Sequence, residues 1–355
     1  MIKKIMFLAV TSCLLTGFGS CQDLQKRGPY FFGLLHSHTG LSDGEGTPAQ
    51  AFAYARDVGG VDFFAVTDHS HFFDHDLDWK RSVAWANLCR IADEYNEDGK
   101  FVAIAGFEMT WNDGTGHINT FNTPWFESRN NPAMNLPAYY EKLASCPDSI
   151  SQWNHPGRVY GDFREFAYYS AAIDKVVHLI EIASGDGPVR GPGYYPSYEY
   201  YFKALDKGWH VAPAIGQDNH RGDWATANEA RTVVLAESLT RASLYESIRK
   251  LRVYATEDRN LRLMYMINGQ IMGSTLSAPG VLNIYIEAND PDMGDNIAKI
   301  DLIADGGEVV MTAEFSSARA VWKIDQLNYG NKKYYVVRVE EADGDLAYSA
   351  PIWFN

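Results

Sequence analysis

Between about residue 30 and residue 257, short apolar runs rich in β-branched and aromatic residues alternate with stretches of helical period. The runs 30–35, 62–66, 101–105, 118–121, 150–153, 176–182 and 210–215 predict buried strands. The segments 48–58, 79–95, 136–144, 196–205 and 239–251 predict helices between or after them. Strands alternating with helices predict βα units, hence an α/β fold on a largely parallel sheet, open or closed into a barrel. After about residue 260 the pattern changes. Short extended runs at 261–267, 281–287, 298–304, 309–312, 320–324, 334–339 and 347–353 are separated by Gly, Asn and Asp clusters such as Asp305-Gly306-Gly307 and Asp343-Gly344-Asp345. No helical period interrupts them, so this tail predicts a small antiparallel β-sandwich.

Polar residues follow the apolar runs in a telling way. The first run ends in His36-Ser37-His38-Thr39 with Asp43 nearby, the second in Thr67-Asp68-His69, the third in Gly106-Phe107-Glu108. The next is entered through Gly116-His117, another ends in Asn154-His155-Pro156-Gly157, and the last in Asp218-Asn219-His220. In a parallel α/β barrel the carboxyl ends of all strands face one rim, so these segments deliver their side chains to one mouth. Residues i and i+2 of an extended segment point to one side, so His36 with His38, and Asp218 with His220, can each grip an ion. Imidazole with carboxylate and no thiolate suits Zn²⁺, Mn²⁺ or Fe²⁺. The expected metal ligands are therefore His36, His38, Asp43, His69, Glu108, His117, His155, Asp218 and His220. Asp68 is placed beside them, as a carboxylate orienting a ligand or as a proton carrier. His178, in mid-strand, and His210, at a strand's start, read as structural; His71 and His75 read as surface or substrate contacts.

Charge and cysteine use narrow the function further. The 355 residues carry 45 acidic and 31 basic side chains, a formal charge of −14. This excludes a long nucleic-acid footprint, which needs Lys and Arg to displace counterions. It does not exclude a small phosphorylated substrate, because bound cations reverse the local sign. Lys3 and Lys4, an apolar run over 5–15 and Gly19-Ser20-Cys21 predict an export signal over residues 1–21 of lipoprotein type, with Cys21 acylated. The protein is then expected at a bacterial periplasm or cell surface, touching the membrane only through that anchor. Cys89 and Cys146 remain, without a C-x-x-C pattern, as a free pair or a disulfide.

The ordered motifs H-x-H-T-x3-D-G, T-D-H, G-x-E, G-H-x-N, N-H-P-G and D-x-H resemble those of the PHP family, named for polymerase and histidinol phosphatase. With its β-rich tail the chain is similar to the exported, carbaryl-hydrolase-like branch. The resemblance implies a distorted seven-stranded (β/α) TIM-like barrel over 28–258, a β-sandwich over 260–355, and up to three metal ions. It also implies phosphoester hydrolysis as the commonest activity, and it carries the ligand set onto the same nine residues.

The expected function is a phosphoesterase, a phosphatase or phosphodiesterase on a small substrate, with two or three divalent ions and a metal-bridging hydroxide as nucleophile. Glu108 is expected to bridge two ions, one oxygen to each. Arg158 and Arg221 follow the N-H-P-G and D-x-H motifs and are the expected phosphate contacts. Within the Gly/Pro-rich segment 185–195, Arg190, Tyr194 and Tyr195 are specificity contacts or parts of a rigid connection; Glu181 and Ser184 end the preceding run near the same pocket. The same nucleophile would also serve a carbamate, amide or ester hydrolase. A non-catalytic surface protein that stores metal or binds a polymer is the alternative from another class.

Overall fold

The structure is a computed structural model that describes residues 29–77, 81–277, 280–328 and 330–355. The expected export signal over residues 1–21, with Cys21, lies outside the described residues. Three strands begin a parallel run: β1 (Tyr30–Leu34), β2 (Phe63–Val66) and β3 (Val102–Thr110). Helices α1 (Pro48–Asp57) and α2 (Val83–Tyr95) make the two crossovers and pack on each other. A capping box starts α1, in which Thr47 and Gln50 satisfy each other's backbone amides and Pro48 fills the first turn.

The parallel run then stops. Strand β4 (His117–Phe121) returns antiparallel to β3, and β5 (Ile150–Asn154), reached through α3 (Leu136–Ala144), runs antiparallel to β4. Residues 111–116, with two glycines, are too few for a crossover helix, so only a hairpin can join β3 to β4. Strand β6 (Val177–Ser184) lies parallel to β5 and carries the short β7 (Tyr195–Pro196) on one edge. After α4 (Tyr198–Asp206), β8 (Ala212–Gly216) pairs parallel to β6. The sheet curls until β8 approaches β1, and Ser37 and Asn219 form a parallel bridge just beyond the two strand ends.

Strand β9 (Arg231–Leu235) pairs antiparallel with β1. Helix α5 (Arg241–Arg249) leads to β10 (Val253–Thr256), which pairs antiparallel with β9. The later strands divide between two sheets. A separate antiparallel sheet has the order β12-β11-β14-β17, formed by β11 (Arg262–Ile267), β12 (Gln270–Ile271), β14 (Val281–Asn289) and β17 (Arg319–Asn328). The others prolong the main sheet: β13 (Thr275–Leu276), β15 (Ile297–Ala304), β16 (Glu308–Ser317), β18 (Tyr334–Glu341), β19 (Leu346–Ser349) and β20 (Ile352–Phe354). Their link is an antiparallel ladder from Tyr254 opposite Ser349 to Thr256 opposite Ala347.

These pairings correct the expected fold class. The protein is dominated by strands, as a curled mixed sheet forming a half-barrel with a second antiparallel sheet; it is not a helix-rich seven-stranded (β/α) barrel with a β-sandwich. The physical cause is β9, which occupies the edge of β1 that the last parallel strand of a closed barrel would need. Burial explains the apolar runs: every residue of β2, β5, β6, β8 and β9 is buried, as strands covered on both faces must be. Strands β11 and β14 instead alternate, one face covered and one open. Cys89 and Cys146 are both free thiols, and burial pushes the Cys89 thiol up to about 11.

Candidate metal centre

The end of β1, the loop after β2, β3, the start of β4 and the ends of β5 and β8 meet at one mouth of the half-barrel. Glu108, fully buried on β3, is the hub. Its Oε1 lies 3.2 Å from His117 Nδ1, 3.4 Å from His36 Nε2 and 3.6 Å from His155 Nε2. Its Oε2 faces the other side, 2.5 Å from His69 Nδ1 and 3.8 Å from His38 Nε2. Asp218 Oδ1 lies 2.9 Å from His38 Nε2 and 3.2 Å from His36 Nε2. Asp43 spans 3.4 Å to His220 Nε2 and 3.7 Å to His69 Nε2. All nine expected ligand residues are thus brought together.

They fall into overlapping groups whose candidate ligand atoms lie within 4.8 Å of one another: His36, His38 and Glu108; Glu108, His117 and His155; and His38, Asp43, His69 and His220. The donor set fits divalent ions. The short approach of His69 Nδ1 to Glu108 Oε2 is not in hydrogen-bonding geometry, and both atoms are buried without a hydrogen-bond partner. Buried polar atoms without a partner are what a bound cation would satisfy. His36 Nδ1 is engaged by Glu181 Oε1 at 2.9 Å, and His220 Nδ1 by the Asp218 carbonyl at 2.7 Å, which leaves each Nε2 facing the cluster.

The backbone is bent to make this possible. His155 and Asp218 take left-handed φ values of 29° and 48°, conformations a non-glycine residue holds only where its surroundings enforce them. The enforcing contacts are visible for His155, whose amide donates to Glu181 Oε2 at 2.9 Å. The charges are strongly coupled. Burial opposes ionisation of Glu108, but the imidazoles of His69, His117 and His36 outweigh it and hold the carboxyl well below the ordinary range. Asp218 is lowered in the same sense by His36 and His38 against its burial.

Asp68 sits just outside this cluster. It accepts from Thr39 N at 2.8 Å, Thr39 Oγ1 at 2.7 Å and Ser42 Oγ at 2.6 Å, so it pins the loop that carries His38 and Asp43. Burial pushes its carboxyl up to about 6 despite those bonds. The two expected arginines are not gathered in. Arg158 is exposed, and Arg221 is turned away to Asp186, Nε to Oδ2 at 3.1 Å. Arg190 pairs with Asp345 and Tyr194 donates to Glu257, so the 185–195 segment serves as a connection to the tail. His210 pairs with Asp174, and His178 is buried in β6.

The cavity beside the cluster is lined by its members Asp43, His69 and His117 and also by His71, Trp111, Arg129 and Tyr160. Arg129 was not singled out by the sequence. Its Nη1 donates to Thr110 Oγ1 at 3.0 Å and Asn112 Oδ1 at 2.7 Å, which fixes the guanidinium at the cavity wall. Tyr160 packs on His155 and His117, with ring centroids 4.6 and 5.0 Å apart. Neither stands in a motif, so only their loops' proximity to Glu108 could have marked them. Glu181, in contrast, was legible as a lone acid ending an apolar run.

No protein-family model matches the chain. It is similar to an uncharacterized protein of Chlamydia pneumoniae, 23% identical over 360 residues, covering 91% of this chain and 57% of that protein. Uncharacterized proteins of Chlamydia muridarum and Chlamydia trachomatis are each 22% identical over 364 residues, with the same coverage. The chain thus spans a little over half the length of the curated relatives it matches.

Proposed function

We propose that the chain is a metal-dependent hydrolase acting on a small phosphorylated substrate. The observation that carries the reading is the convergence of nine imidazole and carboxylate side chains around Glu108, in groups close enough to share ions. His36, His38 and Asp218 would hold one ion, Glu108, His117 and His155 a second, and Asp43, His69 and His220 with Glu108 a third. When bound, such ions supply Lewis acidity, a water nucleophile at neutral pH and positive charge for a phosphoryl group.

The chain's own residues would do the rest. Glu108 offers one oxygen to each side of the cluster, in keeping with a bridging role. Glu181 fixes the tautomer and direction of His36, and Asp68 fixes the loop carrying His38 and Asp43. Arg129, rather than Arg158 or Arg221, stands where a guanidinium could meet phosphoryl oxygens entering the cavity. Tyr160, over His155 and His117, would limit water access. Membership of the PHP family, and export with a lipid on Cys21, belong to the same proposal and rest on the motifs and the N-terminal sequence.

A panel of p-nitrophenyl phosphate, bis-p-nitrophenyl phosphate, aryl esters and aryl carbamates, each with and without Mn²⁺ or Zn²⁺, tests the reading. Metal-dependent turnover of a phosphoester supports it. Turnover confined to esters or carbamates would move the assignment to that class of hydrolase.

A further inference from the structure

A second group of ligand-type side chains lies apart from the histidine cluster and shares no residue with it. Asp258 follows β10 on the chain's passage into the second sheet, Asp290 follows β14 of that sheet, and Glu341 ends β18 of the main sheet. Their candidate ligand oxygens lie within 4.8 Å of one another. The three residues are 5%, 2% and 3% exposed, so the three acids are withdrawn from bulk water together. Among the described residues no Lys, Arg or His forms an ion pair with any of them. The nearby Arg259 is engaged by Asp292 and Glu229.

Clustered acids alone are no site, but two further features point to a ligand. Among the described residues Asp290 Oδ2 and Glu341 Oε1 are buried and receive no hydrogen bond from a donor group, with only the neighbouring acid Asp258 beside Asp290. Meanwhile the opposite oxygens are committed to the backbone. Asp258 Oδ1 accepts from Asn260 N and Leu261 N, both at 2.6 Å, and Asp290 Oδ1 accepts from Asp292 N at 2.6 Å. These bonds hold the Asp258 and Asp290 carboxylates in fixed positions against their mutual repulsion. Burial and the neighbouring acids push the carboxyls of Asp290 and Glu341 above the ordinary range, the direction a nearby cation would reverse.

We propose that Asp258, Asp290 and Glu341 form a calcium site that ties the two sheets together. The candidate donors are all oxygens, which excludes the preference of transition metals for nitrogen or sulfur. Carboxylates from two loops and a strand end suit the adaptable coordination of Ca²⁺ better than the rigid octahedron of Mg²⁺. Asn260 Oδ1, another buried oxygen without a partner, stands in the same loop as Asp258.

The test is thermal unfolding of the whole chain, first stripped of metal over a chelating resin and then loaded with Zn²⁺, in millimolar CaCl₂ or MgCl₂ or in neither. Calcium should raise Tm by about 5 °C, and magnesium by much less. Asp290→Asn and Glu341→Gln should fold, show no loss of Tm in calcium-free buffer, and lose the calcium response. His69→Ala, altered only in the histidine cluster, should keep that response. The proposal is overturned if calcium leaves the unmodified protein's Tm unchanged, if magnesium acts equally, or if Asp290→Asn still responds.

Discussion

Gly216, the last residue of β8, gives a demanding check of how the centre is built. A Cβ placed on its backbone would lie 2.0 Å from Glu181 Oε1 and 2.8 Å from His36 Cβ. Ordinary contact needs roughly 3.5 Å, so in Gly216→Ala the carboxylate must retreat by about 1.5 Å. It cannot do so freely, because it receives bonds from His36 Nδ1 at 2.9 Å, Gln152 Nε2 at 3.2 Å and the His155 amide at 2.9 Å. Breaking one buried charge-assisted bond costs about 1.5–3 kcal/mol, and the lower unfolded-state entropy of Ala returns about 0.4–1 kcal/mol. The variant should therefore lose about 1–2 kcal/mol in urea unfolding of chelator-treated protein, more if neighbouring side chains are also strained. Its zinc affinity, read by competition with a chromophoric chelator, should fall about 10–100-fold because His36 loses its orienting partner. The double variant Glu181→Ala/Gly216→Ala should be less destabilised than the sum of its singles, since the clash is with Glu181 itself. An unperturbed Gly216→Ala, or strictly additive singles, would refute this picture.

Three further outcomes are expected. Glu108→Gln, which keeps the shape but removes the shared charge, should lower metal content below that of the unmodified protein and abolish metal-dependent turnover, as metal analysis and the same assay would show. Arg129→Ala should raise KM for a phosphate monoester about tenfold or more at unchanged metal content, while Arg221→Ala, whose partner is Asp186, should leave KM alone. His178 supplies a pH dependence away from the cluster: burial pushes its imidazole down to about 4 from 6.5. The folded state then resists protonation, so stability is full above about pH 6.5 and is lost as pH falls towards 4. By about pH 5 the loss should reach about 2 kcal/mol, and denaturant titrations of His178→Leu should lack that increment.

The centre was more legible in the sequence than the sheet that carries it. Histidines and acids placed directly after apolar runs identify side chains that share a mouth, whether the strands run parallel or not. His117 shows this: it was expected at the start of a run and stands there, although β4 lies antiparallel to β3. Strand direction is not written in an apolar run, because a strand buried on both faces looks the same in either orientation. The short span 111–116 was the available sign of a hairpin. Strands β9 and β10 went unrecognised because residues 231–235 and 253–256 are brief runs beside a helical segment, and their pairing is non-local. Most tail strands were located, apart from the two-residue β12 and β13, but their partners were not: among the described residues the β10–β19 ladder, across almost a hundred residues, joins six of the ten to the main sheet. Arg129 and Tyr160 belong to loops that carry no motif, so the cavity wall emerged only with the fold.

The most direct measurement of the central claim is the metal content of the purified chain after zinc or manganese loading and removal of loosely held ions. Two or three ions per chain, falling in Glu108→Gln, is the predicted result. A chain that retains no metal under either loading would contradict the assignment of a metal centre to these nine residues.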